Sequence, residues 1–209
     1  MANNRFVIKL KIQNAKITQS LLNIEIMPTL IFFYAMTDEQ LKYPVGKFNP
    51  PASYTSDDLQ RWTYDIKVLP GKMRQAVISL NEKQLDTQYR TGGWTLRQVV
   101  HHVADSHLNS LIRFKLALTE DNPIIKPYEE AYWALQPDYR LPVESSLRIL
   151  EGVHIHWVAL LESFTENEWN RTFTNPESGQ TLTLKRALGL YSWHGKHHLA
   201  HITETVKTF

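Results

Sequence analysis

The sequence predicts an all-α protein folded as a four-helix bundle, and three observations carry that reading. Apolar residues recur at spacings of three and four along four separate stretches of the chain, which gathers them on one helical face. The alternation that marks a half-buried strand is scarce. Turn-forming prolines and glycines fall mainly between the stretches, so four amphipathic helices must bury their faces against one another.

The first stretch spans 56–85, with Leu59, Trp62, Ile66 and Leu69 in phase. Pro70-Gly71 is expected to interrupt it, with a further helical piece through Met73, Val77 and Leu80. Gly92-Gly93 marks a turn. Thr95 then caps the second long helix, Gln98 completes a capping box, and Trp94 with Val99 forms a hydrophobic staple. Leu96, Val100, Val103, Leu111, Phe114 and Leu118 continue it. Residues 121–142 hold Pro123, Pro127, Pro137 and Pro142, which predicts a long irregular connection of the kind that often covers a functional site. A third helix over 143–164 rests on Leu147, Leu150, Val153, Trp157 and Leu161. After a turn at 175–179, the fourth runs over 183–207 through Leu184, Leu188, Tyr191, His198, Ile202 and Val206.

Composition narrows the function. Lysines and arginines number 23 against 21 acidic residues, for a net charge of +2, and no long basic run exists. Neither nucleic acid nor an anionic membrane is indicated as a partner. There is no cysteine, which excludes disulfides, thiolate ligands and a cysteine nucleophile, and makes the cytoplasm the default setting. A metal site would have to use imidazole and carboxylate. Residues 1–35 read differently from the rest: the apolar segment 26–35 is shorter than the roughly 20 residues a bilayer span needs. They are expected to be an N-terminal extension outside the fold, leaving residues 36–209 as the domain.

The nine histidines are the feature to explain. Four lie within residues 194–201. On a helix, His194 and His198 stand one turn apart on one face, close enough for two ring nitrogens to reach one ion at roughly 2.0–2.1 Å. His201 shares that side, whereas His197 is expected to point toward solvent. A third ligand should come from a facing helix, where His101, His102 and His107 are candidates and His154 and His156 weaker ones. Periodicity favours His107, which lies within the apolar stripe. A lone histidine on such a face is more often a hydrogen-bonded core residue than a ligand. Gly195 after His194 excludes the zincin pattern, and no glycine-rich phosphate loop or nucleophile elbow is present.

The run from Leu85 to His107, containing Trp94-Thr-Leu-Arg-Gln-Val-Val-His-His-Val-Ala-Asp105, and the run from Ala187 to Ile202 around His194-Gly-Lys-His-His198 closely resemble the YfiT-type members of the DinB-like superfamily. The resemblance begins near Tyr43-Pro-Val-Gly46 and leaves out residues 1–35. It implies a four-helix bundle, a cytoplasmic homodimer and one zinc or nickel ion per subunit, held by His102, His194 and His198; His102 thereby replaces His107 as the expected third ligand. Gly195-Lys196 departs from the family pattern, and a lysine beside the site could alter substrate preference.

Three neutral histidines leave zinc an open position, where a water can be activated for hydrolysis or a small thiol deprotonated. The expected function is therefore a metal-dependent hydrolase acting on a small molecule. A metal-dependent S-transferase using a low-molecular-weight thiol, or a non-catalytic metal-binding stress protein, are the alternatives. Asp105, one turn from His102, could orient that ring, although a solvated helix carboxylate is the plainer reading. Trp133, Trp157 and Trp193 could line a pocket or simply fill the core. A chain beginning at Met36 should retain the thermal midpoint and metal content of the full chain; a large drop in either would show that residues 1–35 pack on the core.

Overall fold

In the computed structural model, which describes residues 37–209, six helices begin on a threonine or asparagine whose side chain accepts an otherwise unpaired backbone N–H. Thr95 accepts from Gln98 N–H at 3.1 Å and Gln98 Oε1 accepts from Thr95 N–H at 2.9 Å, the expected capping box. In chain order the elements are α1 (Asp38–Lys42), α2 (Ser56–Val77), α3 (Glu82–Leu85), α4 (Leu96–Thr119), α5 (Glu130–Trp133), a 3₁₀ turn (Pro137–Arg140), α6 (Glu144–Glu162), α7 (Glu166–Trp169), β1 (Thr172–Asn175), β2 (Gln180–Thr183) and α8 (Leu184–Val206). The expectation for residues 1–35 lies outside the described residues.

The four long helices α2, α4, α6 and α8 form the bundle. Both α2 and α4 pack against α6 and α8. Consecutive helices α2 and α4 therefore sit on a diagonal, with α6 and α8 between them, and the connection from α2 to α4 crosses the end of the bundle. The turn at 175–179 closes a two-stranded antiparallel hairpin with Thr172 opposite Thr183. Strands of four residues are too short for alternation to reveal, and this hairpin escapes the sequence reading.

Pro70 does not interrupt α2, which runs unbroken from Ser56 to Val77. Proline removes one helical N–H, so the carbonyl of Ile66 loses its donor four residues on. That carbonyl instead accepts a hydrogen bond from His154 Nδ1 at 2.5 Å. A side chain from α6 thus satisfies the acceptor that the proline leaves open.

The core has two apolar halves. One gathers Trp62, Ile66, Leu111, Phe114, Trp157 and Leu188; the other gathers Leu69, Met73, Val100, Val103, Leu150 and Ile202. Along α8 the change from one half to the other falls between Tyr191 and Ile202, where His194, His197, His198 and His201 lie. His107 on α4 and His154 on α6 stand at the same division. Two glycines bring α8 close to α2: a Cβ at Gly189 would sit 3.0–3.2 Å from the Trp62 ring, and one at Gly195 would sit 2.6 Å from Leu69 Cδ2. No helix among the described residues is long and apolar enough to cross a membrane.

Gly189→Val should lower stability by about 1–3 kcal/mol, the usual cost of overpacking a core. Gly71→Ala, at an exposed α2 position where an added Cβ meets nothing within 4 Å, should raise it by about 0.5–1 kcal/mol. Thermal or denaturant unfolding reads both; a neutral Gly189→Val would show that α2 and α8 separate without cost.

Candidate metal centre

His102 comes from the second turn of α4, and His194 and His198 come from successive turns of α8. Each offers a ring nitrogen, and these three atoms all lie within 4.8 Å of one another. His102 Nε2 and His194 Nε2 face each other at 3.2 Å. His102 and His198 are buried, and His194 is half-buried. The same three rings, with His197 and His201, line a cleft of about 390 Å³ whose walls include Tyr89, Trp94, Trp193 and Glu130. A roomier groove of about 610 Å³ between α2 and the ends of α6 and α8 contains no histidine.

Burial sets the charge state of these rings. His102 is pushed down to about 3, mainly by desolvation, with His197 and His201 adding to the effect. Desolvation also drives His194 and His198 well below the ordinary imidazole value, and the neighbouring rings add to it. All three are neutral at ordinary pH, the form in which imidazole ligates metal. His102 Nδ1 is buried without a hydrogen-bond partner, and the ring is held instead by Trp94, whose centroid lies 4.6 Å away. The donor set fits a divalent ion of zinc type: three neutral imidazoles from two helices, opening on a cleft.

The other histidines differ in their surroundings. His101 pairs with Ser146 Oγ at 2.7 Å and the Leu141 carbonyl at 3.1 Å, which ties α4 to α6 and to the connection before it. His156 is exposed. His107, the residue periodicity favours, is fully buried but does not join the trio. It contacts the trio through His194, with Nε2 3.2 Å from His194 Nδ1. A second trio of His197, His198 and His201 also brings ring nitrogens within 4.8 Å of one another and shares His198 with the first.

Several expectations need correction. His197 is not turned to solvent but buried, stacked on Trp193 at 4.7 Å and packed near Tyr43 at 5.9 Å. The reason is the segment that follows α1, which folds over this face: Trp193 Nε1 donates to the Gly46 carbonyl at 3.0 Å. Lys196 does not charge the cleft, because its Nζ pairs with Asp65 of α2 at 2.5 Å. Asp105 neither touches His102 nor stands free in water; it accepts from the Tyr139 hydroxyl at 2.6 Å. Of the three tryptophans, Trp157 is core, Trp133 packs on Tyr128, and only Trp193 lines the cleft. Sequence reasoning missed Trp94 and Tyr89 as walls, and it missed Glu130. The proline-rich connection delivers Glu130 to the rim, where desolvation raises its carboxyl above the ordinary range and Arg113 opposes the rise.

A helical bundle with three clustered histidines at one cleft invites comparison with known proteins. Residues 66–202 match the model of the DinB superfamily. The chain belongs to that superfamily. "Putative metal-dependent hydrolase BcerKBAB4_2443" of Bacillus mycoides is 53% identical over 165 residues, covering 79% of this chain and 95% of its own. "Putative metal-dependent hydrolase OB0782" of Oceanobacillus iheyensis is 50% identical over 166 residues, 79% of this chain and 96% of its own. Among solved structures, YfiT from Bacillus subtilis superposes with a TM-score of 0.79 at 45% identity, over 81% of this chain and 97% of that one. It is described as a probable metal-dependent hydrolase with an unusual four-helix bundle topology. The diagonal placement of α2 and α4 is a departure from the simple up-and-down ring in this chain.

Acid should unfold the metal-free protein early. In the unfolded chain these rings bind protons near pH 6.5, whereas in the fold His102 does so at about 3 and His154, His197 and His201 at about 4. Between those limits unfolding takes up protons, so stability falls as pH falls. The thermal midpoint should be level above about pH 7 and drop steadily from about pH 6.5 to pH 4. A midpoint unchanged down to pH 4.5 would mean the rings are charged within the fold.

Proposed function

We infer that this chain is a metal-dependent hydrolase that holds one divalent ion, zinc or nickel, on His102, His194 and His198. The observation that supports this most directly is the meeting of three neutral ring nitrogens, within 4.8 Å of one another, at the wall of an open cleft. The names and description of its relatives point the same way. A bound ion of this kind supplies Lewis acidity, which brings hydrolysis within reach at neutral pH.

The chain's own residues do the rest. Tyr89, Trp94 and Trp193 give the cleft aromatic walls that bind the apolar part of a small substrate and exclude water. Glu130 stands at the same cleft with a raised carboxyl, suited to taking a proton and returning it. Asp105 is not part of the cleft, and its pairing with Tyr139 makes it a structural carboxylate.

Purified protein should carry close to one divalent ion per chain and hydrolyse small esters or amides in a chelator-sensitive way without added thiol. His102→Ala, His194→Ala and His198→Ala should each abolish tight metal binding, while His197→Ala keeps it. Glu130→Gln should keep the metal and lower kcat by about 10²–10⁴-fold. Metal loss in His197→Ala with binding kept in His102→Ala and His194→Ala would move the site to the second trio. Turnover that requires an added low-molecular-weight thiol, with no hydrolysis in its absence, would make the protein an S-transferase instead. Metal binding without any chelator-sensitive turnover would leave a binding protein.

A further inference from the structure

Two chains of hydrogen bonds run from backbone carbonyls to the rings at the cleft, and their direction is set at the carbonyl end. A carbonyl oxygen only accepts. His154 Nδ1 therefore carries the hydrogen it gives to Ile66 at 2.5 Å, and in a neutral ring Nε2 is then bare. His154 Nε2 lies 2.9 Å from His107 Nδ1, so His107 Nδ1 must be the donor and His107 Nε2 the bare atom. His107 Nε2 lies 3.2 Å from His194 Nδ1, so His194 Nδ1 donates in turn. Only one atom of His194 remains, Nε2, with its lone pair free. The second chain is shorter. His201 Nε2 donates to the Lys42 carbonyl at 3.2 Å, which leaves His201 Nδ1 bare. His198 Nδ1 lies 3.4 Å from it and donates, so His198 Nε2 also keeps a free lone pair.

The structure assigns His107, His154 and His201 as positioning residues that lock the tautomers of His194 and His198, leaving Nε2 of each bare for a metal ion. His107 and His154 build a relay across α4 and α6, and Pro70 makes it possible by freeing the Ile66 carbonyl that starts it. His201 does the same for His198 within α8, its own tautomer set by the Lys42 carbonyl at the end of α1. Ligating histidines commonly donate their other N–H to an acceptor, which fixes the ring and raises its basicity; here the acceptors are further histidines. His102 differs: its Nδ1 has no partner, so before metal binds its Nε2 must donate to the bare His194 Nε2 at 3.2 Å.

This assignment rests on the trio reading above for its use, but the tautomers can be read without metal. Long-range ¹H–¹⁵N correlation spectra of the metal-free full chain should show His107, His154, His194 and His198 protonated on Nδ1, and His102 and His201 on Nε2. An Nε2–H form of His194 or His198 would overturn the assignment. Zinc affinity, measured by competition with a chromophoric chelator, should fall about 10–100-fold in His107→Phe. His107→Gln, which keeps one donor and one acceptor at similar spacing, should recover most of that loss and keep the Nδ1–H signal of His194. Unchanged affinity in a folded His107→Phe would refute the role of the relay. Failure of the unaltered chain to bind zinc, with the tautomers as stated, would defeat the hydrolase reading and leave the relay standing.

Discussion

The carbonyl of Ile66 has no backbone donor, because Pro70 stands where its helical partner would be. A buried acceptor without a partner costs about 1–3 kcal/mol, and so does a buried imidazole with an unmet N–H. The bond between Ile66 and His154 meets both needs at once. It also fixes which nitrogen of His154 is bare, and from there every ring up to His194 follows. A residue that would ordinarily weaken a helix thus determines the chemistry of a side chain on α8, through a relay that passes by way of α6 and α4.

The same constraint explains why so many histidines tolerate the interior. A charged imidazolium between two apolar halves would be expensive, so each ring stays neutral, its pKa pushed down by burial. A neutral ring with both nitrogens in use costs little, because it brings a donor and an acceptor to neighbours that need them. His101, between Ser146 and the Leu141 carbonyl, meets both its needs in the same way without approaching the cleft. The exceptions are informative. His102 and His197 each keep a buried Nδ1 without a partner, and both lean on aromatic rings instead, Trp94 and Trp193 respectively.

Much of this was legible in the sequence, for definite reasons. The bundle followed from apolar spacing, and the start of α4 from Thr95 and Gln98, because both signals are local. The pairing of His194 with His198 followed from helical geometry alone. The neighbour on α4 did not: periodicity pointed to His107, which is fully buried, while His102 is the residue whose Nε2 faces His194 Nε2. Burial and proximity to the pair on α8 are different properties, and spacing reports only the first. Pro70 misled as a helix breaker because its compensation comes from His154, 84 positions later in the sequence. His197 misled because residues outside the bundle, around Gly46, cover its face. Lys196 misled because its charge is neutralised by Asp65, a residue of another helix. In each case the missing fact was a contact between segments far apart in the chain.

The diagonal arrangement of α2 and α4 ties these contacts to the cleft. Because α6 lies between them, His154 can reach Ile66 on one neighbour and His107 on the other. A ring of helices in sequence order would set α2 beside α4 and deny α6 that double reach. The diagonal step also forces the chain from α2 to α4 across the end of the bundle. That crossing carries Tyr89 onto His201, stacked at 3.9 Å, and Trp94 onto His102. One topological choice therefore supplies both the interior relay and the aromatic wall, while the α4–α6 connection adds Glu130 at the rim. The ring nitrogens sit where all three converge, so the cleft is a product of how the helices are connected as much as of which residues they carry.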